Sequence, residues 1–264
     1  MRSVMAAYLK RDWLVWSSYR FAAVFQLAAV AGVIIGIAFA GDVVVHKASI
    51  FDGSKDYASF ALAGLAFTDA LFSGLTGPSN AVREGQTSGT LEPVFLTPIR
   101  AWQYVVGSSV FQVVLALVRT GLFIIAAVVF LGYWHHADVV AVVLVFIPAF
   151  LTFLGLGLLA SAFTVVVKQG EPVVAGYLAV SGLLGGTLFP VRLLPSWLQA
   201  ISQFLPLTHA LNGLRLALAG HGVVAIASSF GALAVLAVLL VPMGLLAVTK
   251  ATQRARREGS LVVY

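Results

Sequence analysis

Long uncharged runs alternate with short polar connectors along this chain. Residues 21–40 carry no charge and lead into a polar stretch, 41–56, with Asp42, Lys47, Asp52, Lys55 and Asp56. An apolar run at about 57–79 contains one charge, Asp69, and the segment 80–101 is polar and rich in turn formers. A third run, about 102–131, contains Arg119. His135-His136 and Asp138 mark a short turn before the uncharged run 139–167. The connection Lys168-Gln169-Gly170-Glu171-Pro172 leads into a fifth run, 173–191, and the last long run, 222–249, precedes a basic tail at 250–264. A helix rises 1.5 Å per residue, so about 20 apolar residues cross a hydrocarbon core roughly 30 Å thick. No stretch alternates with the period of a barrel strand, so the runs read as membrane helices.

The segment 192–221 is ambiguous. It is nearly uncharged, but Pro195 and Pro206 divide it into pieces too short to span alone. Charge bias arbitrates. With six spans, Arg2, Lys10, Arg11, Arg20, Arg83, Arg100, Lys168, Lys250, Arg254, Arg256 and Arg257 share one side. Lys47, Lys55, Arg192 and Arg215 lie opposite, and Arg119 is inside a span. A seventh span would move the four basic residues of the tail outward and erase the bias. The positive-inside rule therefore favours six spans with both termini cytoplasmic.

Composition sharpens this picture. Hydrophobic residues make up 60% of the 264 positions and charged residues 10%, with mean hydropathy +1.00. Soluble domains carry about 45–50% apolar and roughly 25% charged residues. A soluble enzyme, a nucleic-acid-binding domain and a disordered chain are thereby excluded. The net charge of +6 reads as a topology signal, and zero cysteines exclude disulfides, thiolate zinc sites and cysteine catalysis. Residues 1–20 read as an interfacial helix, with Met5, Leu9, Trp13 and Trp16 near one face and Arg2, Lys10, Arg11 and Asp12 as polar contacts. Ala38-Phe39-Ala40 resembles a signal-peptidase site, but the preceding apolar run is longer than the 7–15 residues such signals use.

Catalytic signals are missing. There is no GxxxxGK[ST], HExxH or GxSxG, and no span holds a close carboxylate pair. Adjacent His135 and His136 sit in a short loop and would point different ways on a helix, which makes metal binding the minority reading there. The strongest local signal is 83–98, REGQTSGTLEPVFLTP. A short amphipathic helix near 88–96, ended by Thr97-Pro98, would lie along the membrane surface and suit a groove on a soluble partner. The alternative is an ordinary loop helix resting on headgroups.

Arg83-Glu84, then Gly89-Thr90-Leu91-Glu92, then Thr97-Pro98 resembles the coupling helix of type-2 ATP-binding-cassette exporter permeases, in particular the drug-resistance and nodulation-factor permeases. The stretch 186–215, GTLFPVRLLPSWLQAISQFLPLTHALNGLR, resembles the signature of that family between its last two spans. The resemblance implies an all-α polytopic membrane protein, a single domain over 1–264. It implies six spans, an interfacial helix, a cytoplasmic coupling helix and re-entrant outer-leaflet helices at 192–219.

It also implies a half-transporter: two permease copies, or this chain and a paralogue, above two separate ATPase subunits. ATP and Mg would bind on those subunits, no cofactor on this chain, and neither nucleic acid nor metal would take part. The chain itself would not be an enzyme. Arg83, Glu84, Gly89, Thr90, Leu91 and Glu92 would couple to the ATPase, with Lys168 and Glu171 as a second contact and 2–20 as a third; Leu91 would bury in the partner's groove. Phe189, Pro190, Pro195, Pro206 and His209 would form an outer gate. The substrate would be an amphipathic drug, lipid or lipid-linked glycan, exported across a prokaryotic plasma membrane. An ion-coupled carrier or channel is the competing class; it calls for several membrane carboxylates or internal repeats.

Two features inside the spans stand apart from the resemblance. Asp69 lies about 12 residues after the outer start of its span and Arg119 about 12 before the outer end of the next, so both sit roughly 18 Å deep. Facing each other, they would neutralise a cost of about 2.5–3.5 kcal/mol apiece. Such a pair either fixes helix register or places a polar point in the substrate path. Gly32 and Gly36, and Gly182 and Gly186, have GxxxG spacing, which permits close helix approach. In the family the first and fifth spans meet across the dimer.

Overall fold

Helices account for nearly all of the structure, a computed structural model that describes residues 2–18, 20–43, 57–96, 99–131, 137–167 and 170–258. In chain order they are α1 (Arg2–Ser18), α2 (Arg20–Val43), α3 (Tyr57–Thr87), α4 (Leu91–Leu96), α5 (Ala101–Leu131) and α6 (Val139–Val167). Then come α7 (Glu171–Leu184), a 3-10 turn (Val191–Leu193), α8 (Ser196–Ser202), α9 (Pro206–Leu218), α10 (Gly222–Ala225) and α11 (Ala227–Glu258). Among the described residues, four helices are long and apolar enough to cross a membrane: α3, α5, α6 and α11. The 14 residues of α7 reach only about 21 Å.

α3 is the most enclosed helix and forms the spine of the molecule. Phe67, Leu71 and Leu75 on α3, Val145, Ala149 and Phe153 on α6, and Leu233 on α11 share one core with α9. α9 contributes Leu207, Ala210, Leu211, Leu214 and Ala217, all fully buried and spaced as one helical face. α6 and α11 approach closely because small residues face each other. A Cβ on Gly155 would lie 2.8 Å from the Leu240 backbone, and one on Gly244 would lie 2.6 Å from the Leu158 side chain. This is how membrane helices gain contact when lipid removes the hydrophobic drive between them.

Three of the long helices carry a proline in their interior, at Pro78, Pro148 and Pro242. Four residues after Pro148, Thr152 Oγ1 lies 2.8 Å from the Pro148 carbonyl and 3.1 Å from that of Leu233, a contact that ties α6 to α11. Because Pro78 is accommodated, α3 continues to Thr87, beyond the end of the apolar run at about 79. The next helix is correspondingly shorter than the expected 88–96, beginning at Leu91. Gly89 at φ 66 ends α3, and the Ser88 amide and hydroxyl both donate to the Glu84 carbonyl, at 2.9 and 2.6 Å.

Candidate functional site

One end of the bundle gathers the segments expected to meet a partner. Arg83, near the C-terminus of α3, forms an ion pair with Glu171, the first residue of α7. The pair joins two connections separated by 88 positions in sequence (171 − 83). Beside it, Tyr104 on α5 donates to the Ala81 carbonyl at 3.2 Å and meets Tyr8 of α1 edge-on at 6.1 Å. The Arg11 guanidinium lies over the Tyr8 ring at 5.1 Å. Burial pushes the Tyr8 phenol above its ordinary pKa, opposed by the Arg11 charge. α1, the end of α3, α4 and the start of α7 thus occupy one end.

Leu91 is the first correction. Expected to enter a partner's groove, it is instead 1% exposed within this chain, packed with Val82, Tyr104 and Val105. A Cβ on Gly85 would come 2.9 Å from Leu91 and closer still to the Tyr104 hydroxyl, so the missing side chain makes Leu91's pocket. The outward surface here consists of Glu84, Thr87, Ser88, Gly89, Thr90 and Pro93. Ser88 Oγ and Thr90 Oγ1 are 2.9 Å apart across the turn. Lys168 and the side chain of Glu92 lie outside the described residues.

A second centre lies within the bundle. Arg119 Nε donates to Asp69 Oδ2 at 2.9 Å and Nη2 to Oδ1 at 3.2 Å, a two-point contact between α5 and α3. Neighbouring Thr120 donates to the Ala66 carbonyl at 3.0 Å, holding the same two helices in register. Asp69 also lines a cleft of about 410 Å³ between α3 and α7, with Leu65, Thr68, Phe72, Leu178 and Gly182. Thr68 Oγ1 and Thr187 Oγ1 meet at its margin, 3.2 Å apart.

The expected gate residues cluster in the irregular stretch after α7. Pro190 is buried and precedes the 3-10 turn, Pro195 precedes α8, and buried Pro206 opens α9. Phe189 is half-buried; His209 Nε2 lies 2.8 Å from the Gln203 carbonyl. Gly182 and Gly186 do not form one helical face, because α7 stops at Leu184 and Gly186 sits at φ 83 in the following turn. On α2, Gly32 and Gly36 face open space.

Arg215 is the residue that sequence reasoning undervalued. Counted among the outer charges, it is 7% exposed on α9. Its Nη2 donates to the Gly186 carbonyl at 2.8 Å and lies 3.4 Å from the carbonyls of Thr187 and Phe60. Its guanidinium stacks over the Phe60 ring at 3.5 Å. Gly64 makes room: a Cβ there would collide with the Thr187 carbonyl and lie 2.8 Å from Nη2. Arg215 therefore ties α9 and the post-α7 turn to α3. Gln86, buried at the other end, has no hydrogen-bond partner for its amide among the described residues. Among those residues no group of His, Asp and Glu is arranged to hold a metal ion.

Comparison with known proteins fits this architecture. The family described as ABC-2 type transporter matches residues 2–219. Nodulation protein J of Rhizobium leguminosarum bv. trifolii is 27% identical over 242 residues, covering 88% of each chain. Nodulation protein J of Rhizobium leguminosarum bv. viciae is 28% identical over 237 residues, covering 87% of each chain.

Proposed function

The chain belongs to the ABC-2 type transporter family and is a multi-pass membrane subunit that is not itself catalytic, and from that premise we propose that it is the permease of an exporter driven by a separate ATPase. The observation that carries this reading is the gathering of α1, the α3–α4 turn and the start of α7 at one end, locked by Arg83–Glu171. Such a platform lets one docked body push on α3, α5 and α7 together. The sequence has no phosphate-binding loop, so hydrolysis belongs to another chain, which would hold ATP and Mg.

In this reading six segments cross a prokaryotic plasma membrane with both termini cytoplasmic. The sequence count of eleven basic residues on one side of a six-span chain supports that orientation. α8 and α9 re-enter from the outer face and cap the pathway; irregular backbone at that depth is tolerable because Arg215 and the α9 core face bury it in protein. Two copies, or this chain and a paralogue, enclose the path, with α2 and α7 toward each other. The cleft beside Asp69, apolar with a few hydroxyls, suits an amphipathic drug, lipid or lipid-linked glycan. Family membership favours ATP-driven export over an ion-coupled carrier.

The test is hydrolysis by the purified chain, alone and with a candidate ABC-type ATPase subunit. Activity is expected only in the complex. Robust hydrolysis by the isolated chain would overturn the proposal.

A further inference from the structure

Gln86 is the last buried residue of α3, 3% exposed, and among the described residues neither atom of its side-chain amide has a hydrogen-bond partner. A glutamine amide offers two donors and one acceptor, so burying it without partners forfeits every bond that water had supplied. The polar groups around it are already engaged. Arg83 is paired with Glu171, and the Glu84 carbonyl accepts from both the amide and the hydroxyl of Ser88. The carbonyl of Gln86 itself accepts the Gly89 amide at 3.3 Å. Ser79, two turns earlier, has its hydroxyl 3.2 Å from that of Thr164 on α6.

Helix geometry locates the amide. Gln86 lies within about 20° of Ser79 around the α3 axis and about 10 Å further along it. Val82 and Arg83 flank the same direction one turn before it. Val82 shares a core with Ala162 and Val165, so this face of α3 is turned to α6. α6 ends at Val167, three residues past Thr164, and at Gly170 a Cβ would collide with the Thr164 hydroxyl. Glu171 follows and takes Arg83. The partnerless amide therefore lies level with the end of α6 and the start of α7, beside the joint that Arg83 and Glu171 close.

We propose that Gln86 is a positioning residue for the joint between α3 and α7: its amide has no partner while the joint is closed and gains partners when the joint opens. Opening admits water and frees the Glu171 carboxylate, and either one satisfies the amide. The desolvation cost belongs to the closed state alone, so Gln86 shifts the balance toward the open joint by a factor of roughly ten. The exposed ion pair and the buried amide thus act together, one cheap to break and the other relieved by the breaking. This rests on the proposed function only for the docked subunit that drives the opening; the bias itself is a property of this chain.

The experiment uses the purified full chain and compares Gln86→Met in two backgrounds, with Arg83 intact and with Arg83→Gln. Methionine keeps the length of the side chain and removes its polar atoms. With Arg83 intact, Gln86→Met should raise the melting temperature by about 4 °C, because no amide remains to be desolvated. Hydrogen exchange at the Val174 amide, which donates to the Gly170 carbonyl at 3.2 Å in the first turn of α7, should slow about tenfold. With Arg83→Gln the joint is already open, and Gln86→Met should change neither reading. Should Gln86→Met fail to fold, Gln86→Leu serves the same comparison. A melting temperature unchanged or lowered by the substitution would mean that the amide is satisfied in the closed state, and the proposal would fall. Equal gains in both backgrounds would make the amide a local cost unconnected with the joint, which would also overturn it. Neither reading involves ATP, so their failure is separate from that of the exporter reading, which hydrolysis by the isolated chain decides.

Discussion

Among the described residues two guanidinium–carboxylate pairs join helices, and they differ in everything except their chemistry. Arg119–Asp69 has two hydrogen bonds, lies among apolar side chains, and its members are 26% and 36% exposed. Arg83–Glu171 stands at the end of the bundle with members 44% and 56% exposed. In the first, each charge would be costly to leave alone in hydrocarbon, so the pair holds α3 and α5 at fixed depth. In the second, water solvates either partner once they part, so the contact is cheap to open. A permease needs both kinds: a register that survives the transport cycle, and a joint that yields when a docked subunit moves.

The largest expected effect tests the inner pair. Asp69→Asn or Arg119→Gln should each lower stability by about 3 kcal/mol, since one unpartnered charge remains in a poorly solvated setting. The double variant should recover most of the loss, read as melting temperature in a double-mutant cycle. Additive losses would separate the two residues energetically and dissolve the contrast. If Asp69 instead serves a cationic substrate through the adjoining cleft, Asp69→Asn would spare stability and weaken transport.

Next in size is Leu91→Ala, expected to cost about 2 kcal/mol because it empties a site within the chain's own core. The loss should appear in the chain without its ATPase subunit, as thermal melting will show. Gly89→Ala should cost about 1 kcal/mol, the strain of a side chain in the left-handed conformation that ends α3. Arg83→Gln or Glu171→Gln should change melting by less than about 1 kcal/mol, an effect that fades in high salt. Their consequence should instead be seen in the complex, as hydrolysis continuing with less transport per ATP.

The sequence disclosed the inner pair because charges within apolar runs are rare and helical rise converts position into depth. Asp69 and Arg119 lie about equally deep from the outer ends of their two spans, and they meet. The coupling segment was legible in kind but not in orientation. A six-residue helix has too short an apolar face to reveal whether Leu91 turns toward a partner or toward Tyr104. The Gly182–Gly186 spacing misled because four-residue periodicity has meaning only while the helix continues, and Gly185-Gly186 ends it. Arg215 was hidden for a different reason. Its partners are backbone carbonyls at 60, 186 and 187, and carbonyls leave no mark in residue identity.

Because the chain has no cysteine, any cysteine introduced is unique, and cross-linking can test the platform directly. Pro93→Cys lies on the outward surface at α4, Leu91→Cys is buried two residues away, and Val235→Cys lies on the exposed apolar face of α11. With the ATPase subunit bound, the cysteine at 93 should cross-link to it, and the yield should change on adding ATP and Mg. The cysteines at 91 and 235 should not cross-link. An assembled complex in which position 93 stays unlinked with and without nucleotide would contradict the account.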